Sequence, residues 1–153
     1  MRRMAFLVAA FVMGMVGAAH AQSTADVIAK FGLIGTWASD CGQPTSDHNY
    51  LTVYAANGSV VSRTYYDKPS HVYNNYKIIN ASPVRPDLLS YTQIWDFDGK
   101  PANIAGDRVN ILLNMQGGKF QIVSSQGSDG SYFVADRKFP GSGAESPWQF
   151  KCK

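Results

Sequence analysis

Apolar and polar side chains alternate along most of this 153-residue chain, except in a short segment near its start. There Val27, Ile28 and Phe31 fall on one face at helical spacing. Ser23 precedes them as a hydroxyl cap, and Gly32 follows as a stop signal. These features predict a short amphipathic helix between Ser23 and Gly32.

After Gly32 the spacing becomes the single-residue alternation that is typical of half-buried strands. Turn signals divide this region, among them Asn57-Gly58 and Gly117-Gly118, each of which suits a tight hairpin. Eight strands are predicted, followed by an extended segment near 147–152. The predicted strands lie near 34–39, 49–56, 59–67, 71–81, 88–96, 107–115, 119–125 and 131–137.

The connections between these strands are too short to hold crossover helices, so strands that follow each other in the chain should pair antiparallel. An up-and-down meander of eight strands can close into a barrel, which leaves no free sheet edge. The predicted fold class is therefore all-β: an antiparallel up-and-down eight-stranded barrel with a short N-terminal helix. A two-sheet β-sandwich is the alternative architecture.

Alternation also predicts which side chains share a face of the sheet. Leu51 and Val53 lie on one side of the second strand, and Val109, Ile111 and Leu113 lie on one side of the sixth. We expect both sets on the apolar face. This face makes a barrel interior that is either filled by side chains or just able to hold one small ligand.

Aromatic residues are frequent in the predicted strands, and their rings can line a cavity. If the barrel is open inside, tyrosine and tryptophan side chains should form its walls. The candidate ligand-binding residues are Tyr54, Tyr65, Tyr73, Tyr91 and Trp95.

The N-terminus has the three parts of a secretory signal in order: a basic start, an apolar run from Ala5 to Ala18, and Ala19-His20-Ala21. At about 1.5 Å per residue the run reaches about 21 Å, short of the roughly 30 Å of a bilayer core. We therefore predict a signal peptide over 1–21 that is cleaved after Ala21, and one domain over 22–153. The signal is of a bacterial type, so the expected location is the periplasm or the medium.

Removal of the signal changes the charge of the protein. Without Arg2 and Arg3, 12 of the 14 basic residues remain against 11 acidic ones, so the formal charge falls from +3 to +1. A nearly neutral domain lacks the basic character of nucleic-acid-binding proteins, and no nucleic-acid partner is expected. No membrane span is expected in the cleaved protein, and we expect a monomer.

The two cysteines, Cys41 and Cys152, are predicted to form a disulfide, because an exported chain enters an oxidising compartment. The bridge closes a loop of 111 residues. A loop of that size is worth about 4 to 5 kcal/mol in the chain-entropy model. A redox or metal pair is disfavoured, because metal-binding cysteines are usually close in sequence.

The predicted helix followed by Gly35-Thr36-Trp37 at the start of the first strand resembles the Gly-x-Trp signature of the lipocalin-like, or calycin, superfamily. The resemblance implies that Trp37 lies at the closed end of a barrel. It also implies a structural role for Gly35 of the same motif. It also implies that Arg137, at the end of the last barrel strand, packs across Trp37. The chain then resembles an outlying, bacterial, exported member of the superfamily; no His follows His71, which disfavours the haem-binding relatives.

Polar clusters elsewhere are interpreted as turns. Asp40, Asp47 and His48 follow the first strand without a pattern that fixes a metal or a catalytic base. Asp96-Phe97-Asp98-Gly99 lacks the alternate ligands and the final Glu of a calcium loop. No catalytic residue, metal or cofactor is therefore predicted, and an enzyme is not expected.

Two functional hypotheses remain. The first is a binding module that holds a small apolar molecule in the barrel. The second is a periplasmic interaction or inhibitor module that presents the loops Pro83–Asp87 and Asp96–Gly106 to an envelope protein.

We expect the exported protein to begin at Gln22, because small residues occupy the two positions that a signal peptidase reads. Intact-mass spectrometry of a periplasmic extract checks this. The variant Ala21→Arg should accumulate uncleaved, since it removes one of the small residues. An exported wild-type protein that keeps residues 1–21 would contradict the prediction.

Overall fold

The structure is a computed structural model that describes residues 22–96 and 107–153. The predicted signal peptide lies outside the described residues, and so does all of the predicted loop Asp96–Gly106 except Asp96 itself. Cleavage after Ala21 therefore stays a prediction.

The described residues form one short helix and nine strands. The helix is α1 (Thr24–Lys30). The strands are β1 (Gly35–Ala38), β2 (Leu51–Asn57), β3 (Val60–Lys68), β4 (His71–Arg85), β5 (Leu88–Trp95), β6 (Arg108–Gln116), β7 (Lys119–Gly127), β8 (Tyr132–Val134) and β9 (Gln149–Lys151).

Helix α1 begins at a capping box, as the hydroxyl at Ser23 predicts. The Asp26 N–H donates to Ser23 Oγ at 3.1 Å, and the Ser23 N–H donates to Asp26 Oδ2 at 3.2 Å. Val27 and Ile28 are buried on the inner face of the helix. Gly32, with φ of 77°, turns the chain away from the helix axis towards β1. The predicted helix is confirmed.

The strands form a closed eight-stranded antiparallel barrel. β1 to β7 pair in chain order, and β9 lies between β1 and β7, pairing antiparallel with both. The predicted fold class is thus confirmed, and the alternative of a two-sheet sandwich is not what the chain forms.

The strand that closes the barrel is not the predicted one. Segment 131–137, predicted as the last barrel strand, supplies only the three residues of β8, which pair with the far end of β7. Asp136 and Arg137 have left-handed φ values of 46° and 64°, so the chain turns there and cannot remain extended. The predicted tail near 147–152 instead contains β9, which pairs with the start of β7 at Lys119 and Phe120.

β4 is longer than predicted, because it continues to Arg85. The predicted loop Pro83–Asp87 therefore shrinks to the turn at its end. A register shift after Ile78 in the pairing with β5 marks a bulge, which allows so long a strand to bend around the barrel. Past Ile78, β4 extends beyond its last pair with β3, and α1 packs against β4 and β3.

The inward face of β2 is the opposite of the predicted one. Thr52 and Tyr54 are 2% and 1% exposed, whereas Leu51 and Val53 are only half-buried. Thr52 pairs directly with Trp37 of β1, and paired residues on neighbouring strands point to the same side. The predicted inward face of β6 is correct: Val109, Ile111 and Leu113 are buried.

Trp37 fills the interior at the end of the barrel that α1 covers. It is 1% exposed, its Nε1 donates to Leu33 O at 2.7 Å, and its ring meets the Phe120 ring edge-on at 4.9 Å. Around it the core contains apolar side chains from α1 and from most of the strands. The buried position implied for Trp37 is what the structure has.

The cation over the Trp37 ring is Lys151 of β9, whose Nζ lies 5.5 Å from the ring centroid. The same Nζ donates to Gly32 O at 3.0 Å. A Cβ at Gly35 would stand 2.8 Å from Lys151 Cε, so Gly35 leaves the space that this side chain crosses. Arg137, which the resemblance placed across Trp37, is exposed in the turn after β8; Lys151 holds that position instead.

Cys41 and Cys152 form the predicted disulfide, with their Cα atoms 5.4 Å apart. The Cys152 N–H also donates to Thr36 O at 2.8 Å. The bridge thus joins the loop after β1 to the end of β9, next to the point where the barrel closes. A disulfide fits export to an oxidising compartment.

We expect Trp37→Ala to lower the free energy of unfolding by about 3 to 5 kcal/mol, as other aromatic core truncations do. The lost contacts are the ring against Phe120 and the hydrogen bond to Leu33. Urea denaturation measures the change. Trp148→Ala, at a half-buried tryptophan, is the matched control and should lower the free energy of unfolding by a smaller amount. Equal losses from the two variants would contradict the role given to Trp37.

Candidate functional site

A cavity of about 500 Å³ lies inside the barrel, beyond the packed core that contains Trp37. This volume is within the range of about 300 to 1,000 Å³ that is usual for small-molecule sites. Most of the described lining is aromatic or aliphatic. The apolar lining includes Tyr65, Tyr76, Trp95, Val109, Ile111, Phe120, Ile122 and Val134.

The cavity reaches the surface at the end of the barrel where β3 turns into β4. Tyr73 and Phe133 line it, although they are 50% and 53% exposed. The Tyr50 and Tyr73 rings contact each other there with centroids 5.8 Å apart. A molecule of the right size therefore has an entrance edged by rings.

One wall of the cavity is a row of three rings from neighbouring strands. Tyr76 and Trp95 are direct partners in the pairing of β4 with β5, and their rings meet edge-on at 5.0 Å. The Tyr65 ring meets that of Tyr76 at 6.0 Å. Edge-to-face contacts of this kind hold the rings in fixed orientations. The wall is consequently mostly aromatic, and its rings support one another through edge-on contacts.

Arg63 of β3 lines the same cavity and is 2% exposed. Its neighbours in β3 at the same alternation are Val61, which is buried in the core, and Tyr65, which lines the cavity. In register it lies between Tyr54 of β2 and Tyr76 of β4. A guanidinium is thus placed where the alternation of β3 calls for an apolar side chain.

Aromatic rings surround the Arg63 guanidinium. Its Cζ lies 4.5 Å from the centroid of Tyr65, 5.4 Å from that of Tyr54 and 6.0 Å from that of Tyr91. Each cation–π contact of this kind contributes about 0.5 to 2 kcal/mol. The Tyr54 and Tyr91 hydroxyls hydrogen-bond to each other at 2.9 Å. The rings hold the guanidinium in place without supplying a negative charge.

Hydrogen bonding satisfies the Arg63 side chain only in part. Nη1 donates to Gln93 Oε1 at 3.1 Å, while Nε is buried without a partner among the described residues. The ion pairs of the described residues are His71–Asp67 and Arg85–Asp87, so Arg63 belongs to neither. An unpartnered buried donor normally has a large energetic cost.

Three of the tyrosines around Arg63, namely Tyr54, Tyr76 and Tyr91, are neutral near pH 7. Burial raises the pKa of Tyr76 to about 12 and that of Tyr91 well above its usual value. Burial likewise raises the pKa of Tyr54, against the opposing effect of the Arg63 charge. The charge of Arg63 is therefore not balanced by a phenolate.

Two other polar atoms at the cavity are buried without a partner among the described residues: Asn74 Oδ1 and Gln149 Oε1. Together with Arg63 Nε they make three of the four such side-chain atoms in the described part of the chain, the fourth being on Asn114. Buried polar groups normally have a hydrogen-bond partner, so each of these atoms calls for an explanation such as an ordered water or a bound group.

The structure brings together three of the five candidate ligand-binding residues. Tyr65, Tyr73 and Trp95 line the cavity. Tyr54 and Tyr91 do not line it; they lie below Arg63 in the core cluster, at 1% and 2% exposure. Their predicted place in the cavity wall is corrected to a place under its floor.

The sequence reasoning missed Arg63 and Gln93. Both were detectable, since Arg63 has the same phase in β3 as Val61 and Tyr65, and Gln93 has the same phase in β5 as Tyr91 and Trp95. A charged or amide side chain at a position that alternation assigns to the interior marks a candidate site.

The polar cluster after β1 is organised as a loop. Asp40, Asp47 and His48 are exposed, and Asp40 Oδ1 accepts a hydrogen bond from the Gly42 N–H at 2.8 Å. The buried Asn49 side chain holds the loop through the Asp40 backbone at 3.0 and 2.9 Å. Within residues 22–96 and 107–153, no three His, Cys, Asp or Glu side chains are grouped closely enough to hold a metal ion.

No protein-family model, curated protein or solved structure matches this chain. The closed eight-stranded antiparallel barrel is compatible with a lipocalin-like fold. Residues 22–96 and 107–153 contain no helix with the length and apolarity needed to cross a membrane.

We expect Tyr76 and Tyr91, two of the eight tyrosines, to stay protonated at about pH 11, where an ordinary tyrosine of pKa near 10 is ionised. Their pKa values are higher in the folded state than in the unfolded state. The stability that this difference provides is complete below about pH 10 and is lost as the pH rises through the folded-state values.

Phenolate absorbance of the native protein checks this, compared with the urea-unfolded protein at the same pH. The native protein should lack the absorbance of about two tyrosines. Equal absorbance in the two states would mean that these phenols ionise normally.

Proposed function

We propose that this protein is an exported, periplasmic or secreted, lipocalin-like binding protein that holds a small, predominantly apolar molecule in its barrel. One observation carries the proposal: a cavity of about 500 Å³ with mostly apolar walls and an entrance. Apolar ligands gain free energy in such a site because they leave water, by about 25 cal/mol per Å² of buried apolar surface.

The proposed role is binding and not catalysis. Among the described lining residues, the titratable groups are the Arg63 guanidinium and the hydroxyls of tyrosines. Arginine does not give up its proton near neutral pH, and burial raises the pKa of Tyr76 to about 12. Neither group is suited to act as a general base near pH 7.

Fluorescence titration with N-phenyl-1-naphthylamine, a neutral apolar probe, tests the proposal. We expect saturable binding of one probe per chain, and native mass spectrometry of protein purified from its own host should show a bound small molecule. Absence of both signals would contradict the proposal and favour the alternative, a module that contacts an envelope protein through its loops.

A variant pair shows whether the probe occupies the cavity. Ile122→Trp places a large ring in the cavity and should weaken probe binding at least tenfold, about 1.4 kcal/mol. Val60→Trp adds the same ring at a position of β3 that is 40% exposed and outside the cavity, and it should leave binding unchanged. Circular dichroism checks whether both variants are folded. Equal affinities in the two variants would locate the probe elsewhere on the protein.

A further inference from the structure

We propose that the molecule held in the barrel carries a single anionic oxyacid head, such as a carboxylate, and that Arg63 binds this head on the floor of the cavity. This inference rests on the proposed function and narrows its ligand to one class: molecules with an apolar body and one negatively charged end. Two features of the cavity, its charge and its geometry, carry the inference.

The first feature is charge. Arg63 is the one charged side chain among the described lining residues, which include no Asp, Glu, Lys or His. It is 2% exposed, so water does little to stabilise its charge. Buried arginines are ordinarily paired with a carboxylate or a phosphate, and in the described part of the chain this one is not. A ligand anion supplies the missing charge.

The second feature is geometry. A guanidinium presents five N–H donors in a planar fork that fits the two oxygens of a carboxylate. Gln93 takes a hydrogen bond from Nη1, and Nε is left without a partner among the described residues. The rings of Tyr54, Tyr65 and Tyr91 fix the fork by contacts with its Cζ. The donors are thus oriented before the ligand arrives, which limits the entropy lost on binding.

The position of Arg63 also sets the orientation of the ligand. Tyr54 and Tyr91 below it belong to the packed core, so the head cannot go deeper than Arg63. The apolar walls at Trp95 and Ile122 and the exposed ring of Phe133 remain for the body of the molecule. The anionic end therefore enters first and the apolar end points to the entrance.

Displacement of N-phenyl-1-naphthylamine by three amphiphiles with the same ten-carbon chain tests the inference. Decanoate, decanol and decylammonium differ only in the head. We expect decanoate to displace the probe from the wild-type protein at a concentration at least tenfold lower than decylammonium, about 1.4 kcal/mol. Decanol should fall between them. Equal displacement by the three compounds would overturn the inference.

Variants at Arg63 test whether this side chain causes the preference for decanoate. Arg63→Met should lose the preference for decanoate over decylammonium, measured relative to that variant's own affinity for the neutral probe. Arg63→Lys keeps a charge without the planar fork and should retain part of the preference. The matched control is Arg85→Met, at an exposed arginine outside the cavity. This variant should keep the full preference for decanoate. A preference for decanoate that persists in Arg63→Met would overturn the inference.

The outcomes separate the two proposals. If the neutral probe does not bind the wild-type protein and native mass spectrometry shows no bound molecule, the proposed function fails. If the probe binds but the head of the competitor makes no difference, the proposed function stands and the inference about Arg63 fails. If Arg63→Met does not fold, the wild-type series and the Arg63→Lys variant still decide between these results.

Discussion

The barrel depends on the pairing of β9, a strand of only three residues, with both β1 and β7. Without β9 the remaining strands are an open sheet with two free edges, which is prone to pair with other chains. Two paired residues on each side are a weak attachment for so important a strand. The Cys41–Cys152 disulfide and the Cys152 N–H bond to Thr36 O compensate, because they fix the chain immediately beyond β9. Closure is therefore held covalently as well as by the sheet.

The same strand closes one end of the interior. Lys151 reaches from β9 across the space left by Gly35, places its ammonium over Trp37, and donates to Gly32 O just after α1. The strand that closes the sheet thus also packs the end of the barrel that α1 covers. Since the side chains around Trp37 fill that end, the volume that remains empty lies towards the opposite entrance at Tyr73 and Phe133. The position of the cavity follows from the position of β9.

Strands β2 to β7 could be predicted from the sequence within a few residues, because each has its own alternation and most are joined by turns that the sequence marks, such as Asn57-Gly58. The closing strand could not, since it depends on contacts with β1 that are more than 110 residues distant and on the backbone turn at Asp136 and Arg137. The face of β2 was ambiguous because both of its sides carry apolar residues. A shift of one position exchanges the two sides without changing the alternation. For the site, the sequence indicates that aromatic rings as a group can line a cavity. Only the structure shows that Tyr65 and Trp95 line it while Tyr54 and Tyr91 lie under it.

Arg63 divides the interior into two regions with different physical roles. On one side of it, around Trp37 and Leu33, apolar side chains are packed and stabilise the fold. At Arg63 the requirements of folding alone would favour an apolar residue, because replacing a buried charge by a hydrophobic side chain of similar volume is often neutral or stabilising. Local violations of such rules are expected at functional sites, where stability is given up for recognition. The neutral phenols of Tyr54, Tyr76 and Tyr91 fit this interpretation. They surround the guanidinium without a negative charge, and no ion pair among the described residues compensates it, which leaves it available for the anionic head that we propose.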